Sequence, residues 1–147
     1  MTDVPNQRTE IYREIFAEIS GWLDRGWTEC TVTSRRVAGY AQMDLVTVHE
    51  SGNSEQPHVQ GTGLSRQLRT LRELMYEPGK GAWFTAVLRF ESGGRFSADF
   101  DYDNEPTWHD GISPLSYVDE VERFPRDPEH TPDWLRDRLA EAARSDG

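Results

Sequence analysis

The stretch that most constrains this chain is a pair of alternating runs, Trp83 to Glu91 and Arg95 to Tyr102, separated by Ser92-Gly93-Gly94. Side chains alternate between the faces of a strand, so Phe84, Ala86, Leu88 and Phe90 line one side. Phe96, Ala98, Phe100 and Tyr102 line the same side of the return strand, while Arg95, Ser97, Asp99 and Asp101 line the other. Small residues between the runs suit a tight reversal. A hairpin with one apolar face is not stable alone; it needs more strands, or helices laid on that face.

The rest of the chain supplies both. Ile11, Ile15, Ile19, Trp22 and Leu23 keep a helical period and predict an amphipathic helix over 6–25, with Gly26 as its stop. "WTECTVTSRRVAGYAQMDLVTVHE" is rich in β-branched residues and predicts two antiparallel strands, 28–34 and 38–48, broken near Ser34–Arg36. Residues 50–63 have the polar composition of an exposed loop. Leu64, Leu68, Leu71, Leu74 and Met75 predict a helix over 64–76, ended by Pro78, with Arg66, Arg69 and Arg72 on its other side. A short helix is expected over 114–124. Thr131-Pro132 then forms a cap ahead of Trp134, Leu135 and Leu139, predicting a last helix over 132–144. This order predicts an α+β fold: one domain over residues 1–147, with an antiparallel sheet of about four strands and helices packed mainly on one face. A chain of 147 residues buries roughly 70% of its unfolded surface, enough for one core without a metal or disulfide.

The formal net charge of −10 is unevenly spread. Between Arg95 and Arg123 stand Asp99, Asp101, Asp103, Glu105, Asp110, Asp119, Glu120 and Glu122 with no Lys or Arg, while the remainder is nearly balanced. Phosphates need cations to replace their counterions, so direct nucleic-acid binding is disfavoured and a basic protein partner is favoured. An anionic membrane would repel the chain, and no run approaches the ~20 apolar residues of a membrane-spanning helix. Cys30 is the lone cysteine and the first residues lack the apolar core of a signal peptide, which together predict a cytosolic protein.

Several chemistries compete for these residues. Asp99, Asp101, Asp103 and Asp110 take the spacing of calcium-loop ligands, but Asn104 replaces the turn glycine, Asp110 the bidentate Glu, and the segment leaves a strand. Period-two alternation alone produces Asp99 and Asp101, so no metal or other cofactor is expected. His109 and Asp110 adjoin, yet no activated Ser or Cys accompanies them, and Cys30 reads as a small core residue. Gly61-Thr62-Gly63 ahead of a helix lacks the Lys-Ser/Thr ending of a phosphate-binding loop. Trp108 lies in a polar loop where an indole can anchor an interface.

In order, "IYREIFAEISGWL" (11–23), "LSRQLRTLRELM" (64–75), "WFTAVLRFESGGRFSADFDYDNEPTW" (83–108) and "FPRDPEHTPDWL" (124–135) resemble the YezG/EsaG-like immunity proteins. These are antitoxins of nuclease toxins exported by the bacterial type VII secretion pathway. The resemblance implies a cytoplasmic, non-catalytic protein that binds the C-terminal domain of a toxin and holds it inactive. Acidic side chains can mimic nucleic acid in a cationic nuclease cleft. The expected toxin-binding residues are therefore Asp99, Asp101, Asp103, Glu105, Trp108 and Asp110, displayed outward. Two alternatives stay open: a small metal- or carboxylate-dependent hydrolase using the Asp99–Asp110 cluster, and an oligomeric scaffold, such as a homodimer, in which the Arg66, Arg69, Arg72 helix docks on the acidic face of a neighbour.

Overall fold

A computed structural model describes residues 4–23, 26–55 and 63–145. In chain order it holds helix α1 (Val4–Trp22), strands β1 (Trp27–Val37), β2 (Tyr40–His49) and β3 (Ser54–Glu55), helix α2 (Leu64–Met75), strands β4 (Thr85–Glu91) and β5 (Phe96–Asp101), and helices α3 (Leu115–Arg123) and α4 (Asp133–Ser145). The strands form one sheet in the order β3-β2-β1-β4-β5. The fold is α+β with an antiparallel sheet, as the order of elements requires.

The pairing can be read from single bonds. Arg36 N donates to Phe84 O at 2.9 Å and Ser92 N to Thr28 O at 3.0 Å. Along β1 one partner number rises while its β4 counterpart falls, so the two central strands run antiparallel. In the β4–β5 hairpin Glu91 N donates to Arg95 O and Gly94 N to Glu91 O, both at 2.9 Å, closing a three-residue loop. At the far end Phe84 N donates to Asp101 O at 2.8 Å. That pair is one residue out of step with the first, and such a slip marks a bulge.

Two compact units share these strands. The first comprises Met1–Thr33, Met43–Met75 and Val87–Asp99. Its interior joins Ile11, Ile15 and Ile19 of α1 to Leu64, Leu68 and Leu71 of α2, all buried, over Cys30, Val32, Leu88 and Phe90 of the sheet. Fully burying one such side chain contributes about 2 kcal/mol. Phe16 lies 6.0 Å from Phe90 and 6.2 Å from Trp27 between ring centroids. The second unit comprises Ser34–Gln42, Tyr76–Ala86 and Phe100–Gly147. Val37, Phe84, Tyr117 and Leu135 form its buried centre, against which Trp108, Ile112, Val121, Trp134 and Leu139 pack. Among the described residues no helix is long and apolar enough to cross a membrane.

Two expectations, the strand break and the arginine stripe, need correction. The β1–β2 reversal falls at Ala38-Gly39, not at Ser34–Arg36. Ser34 and Arg36 are buried inside β1, and the turn sits where Gly39 takes φ +85° and Ala38 N donates to the Glu120 carboxylate at 2.8 Å. To the four predicted strands the sheet adds the two-residue β3, where Thr47 and Val48 pair with Glu55 and Ser54, a strand too short to show alternation. Arg72 is buried, so α2 presents only Arg66 and Arg69 of the expected stripe. Phe96 keeps to the predicted apolar side, its ring 5.1 Å from that of Phe90, and is exposed on β5 at the edge of the sheet.

Candidate functional site

The acidic segment leaves β5 through a turn built by Asp101. Its Oδ1 accepts from the backbone N–H groups of Asp103 and Asn104, each at 3.0 Å, and its Oδ2 from the Asn104 side chain at 3.0 Å. An aspartate that bonds its own backbone a few residues on is a turn former. Partial burial pushes this carboxyl up, but the Asn104 side-chain bond and the two backbone N–H groups outweigh it and hold the pKa below the ordinary 3.8.

Past the turn, interior groups grip the loop. Trp134 of α4 donates its indole N–H to Asp103 O at 2.7 Å. Arg126 donates to the carbonyls of Tyr102, Ala82 and His130 at 2.8, 3.0 and 2.8 Å, with its guanidinium 4.6 Å above the Phe84 ring. Glu105 receives Arg138 through both oxygens, at 2.8 and 3.1 Å, and the Tyr117 hydroxyl at 3.1 Å. Tyr117 in turn accepts the Trp108 indole N–H at 2.9 Å. Farther along, His109 N donates to Gln42 Oε1 at 2.9 Å.

The six residues singled out in the sequence therefore divide. Asp99, Asp103 and Asp110 are exposed, and among the described residues Asp99 makes a loose 3.8 Å pair with Arg89. Asp101 spends its oxygens on the turn. Glu105 does not face outward: its bidentate partner Arg138 and the Tyr117 hydroxyl hold it, and the bond and charge of Glu105 push the Arg138 pKa upward. Trp108 is no free anchor either, since it packs on the second unit's centre with Tyr40 set edge-on at 5.3 Å. Arg138, Tyr117, Arg126 and Gln42 carry the loop, and the sequence held no signal for them beyond ordinary surface or core residue types.

Burial pushes the Tyr117 hydroxyl up to about 12, with Glu105 adding to the shift against Trp108 and Arg138. Burial, with Glu29 adding, pushes the Cys30 thiol to about 12 as well, so both stay protonated near neutrality. Among the described residues no three His, Cys, Asp or Glu side chains stand close enough together to hold a metal ion. Of the Gly61-Thr62-Gly63 stretch only Gly63 lies within the described residues, and its N–H already meets the Glu18 carboxylate at 2.6 Å. The remaining acids of the segment that reach solvent are Asp119 and Glu122 of α3.

No protein-family model matches the chain, and no curated protein matches it.

Proposed function

We propose that this chain is an immunity protein, a non-catalytic inhibitor that binds a secreted nuclease-type toxin domain in the cytoplasm of the producing cell. One observation carries the reading. Asp103, Asp110, Asp119 and Glu122 are exposed without an ion pair among the described residues, while the loop that bears the first two is fastened by Trp134, Glu105 and Gln42. Fixed anions with no internal cation are suited to a partner that supplies one. A nuclease cleft is cationic because it binds phosphates, so such a face speeds encounter and fits without ordering cost on its own side. The resemblance to YezG/EsaG-like antitoxins points the same way.

The test is co-expression with the cognate toxin domain. Asp103→Lys with Asp110→Lys is expected to abolish protection while circular dichroism stays unchanged. Asp101 is unsuited to charge reversal, because its carboxylate builds the turn. Full protection by the double variant would contradict the proposal.

A further inference from the structure

The first unit carries a second feature, which goes beyond the inhibitor reading. A groove of about 600 Å³ opens between α1 and the β4–β5 hairpin, walled by Tyr12, Phe16, Phe90 and Phe96. Tyr12 and Phe90 hold the Phe96 ring at 4.5 and 5.1 Å between centroids, yet Phe96 remains 39% exposed. This volume is within the ~300–1,000 Å³ typical of ligand pockets. The groove lies beside β5, the edge of the sheet, where an extended peptide can add as a further strand and drop alternate side chains into an adjoining pocket.

We propose that the occupant is the C-terminal peptide of another protein, ending in an apolar residue. Charge gives its direction. Arg13 lies on the groove wall and Arg95 beside Gly94 at the beginning of β5, with side chains 72% and 88% exposed. Among the described residues each makes a surface pair, Arg13 with Glu10 at 3.1 Å and Arg95 with Glu91 at 4.0 Å, which an incoming carboxylate can displace. Asp99, 80% exposed, lies farther along β5. A peptide antiparallel to β5 sets its last residue against Phe96, its carboxylate near the two guanidinium groups, and the residue three before the last opposite Asp99. That position takes Lys or Arg. A second copy of this chain is disfavoured as occupant in the antiparallel register centred on Asp99, which sets the two Asp99 carboxylates opposite each other.

The experiment selects binders for the full chain from a library of peptides with free C-termini. Enrichment of an apolar last residue and of Lys or Arg three before it is expected. Amidating the selected peptide, or Arg13→Glu, weakens binding about tenfold by fluorescence anisotropy. Asp99→Lys shifts the preference at the third position before the last from basic to acidic. Amide chemical shifts move in α1 and β5, and circular dichroism confirms that each variant folds. Absence of enrichment, equal binding of acid and amide, or shifts confined to residues 101–122 would overturn the site. None of these results bears on toxin protection, which rests on Asp103 and Asp110.

Discussion

The indole N–H of Trp134 donates to the main-chain carbonyl of Asp103 at 2.7 Å, so α4 holds the backbone of Asp103 and leaves its carboxylate facing solvent. The carboxylate proposed to meet a partner and the group that positions its backbone are thus separate. Trp134→Phe keeps a ring against Phe84 and Tyr117, at 5.1 and 5.5 Å, but removes the donor. A loss of about 1 kcal/mol in urea denaturation is expected, with faster amide exchange across residues 102–105.

Asp101 makes stability depend on acid. Its carboxylate is favoured in the folded state, so the folded pKa lies below the unfolded one and the native state binds fewer protons. Its contribution is fully present above the ordinary value of 3.8 and fades as pH falls through the folded pKa. Asp101→Asn should be less stable than the native chain at pH 7, and the gap should narrow below pH 3.8 when melting is followed against pH.

Glu105 and Arg138 form a two-pronged pair with side chains 29% and 34% exposed. Partial shielding and two parallel bonds lift it above an ordinary surface pair. A double-mutant cycle with Glu105→Gln and Arg138→Met should give a coupling of about 1 kcal/mol. Glu105→Leu should cost more than Glu105→Gln, because it also leaves the Tyr117 hydroxyl without its acceptor.

Gly81 takes φ +88°, and a Cβ there would collide with the Nε of Arg126, the side chain that ties Ala82, Tyr102 and His130 together. Gly81→Ala should destabilise by roughly 2–3 kcal/mol. Gly52 has nearly the same φ, +87°, but open space around it, so Gly52→Ala should show only the smaller backbone cost of about 1 kcal/mol. Thermal denaturation of the two variants separates conformation from collision.

The periodic elements were legible because burial writes itself into spacing. Ile11, Ile15 and Ile19, Leu64, Leu68 and Leu71, and Ala86, Leu88 and Phe90 are all buried where their periods set them. Reasoning from polarity failed where a polar residue has an internal role. Ser34 and Arg36 looked like a break and lie inside a strand; Arg72 looked solvated and is buried. In the acidic segment, sequence gave charge density but not its division. Which carboxylate builds a turn, which meets an arginine and which stays outside depends on Arg138 and Trp134, brought to the loop by tertiary packing across about thirty positions of sequence.

The most direct test is calorimetric titration of the purified chain against the toxin domain proposed as its partner, over a range of sodium chloride concentrations. The account predicts an affinity that falls steadily as salt rises, and a loss of more than tenfold on Asp103→Lys with Asp110→Lys, while Glu105→Gln leaves affinity nearly unchanged. Binding that ignores both salt and the double charge reversal would contradict it.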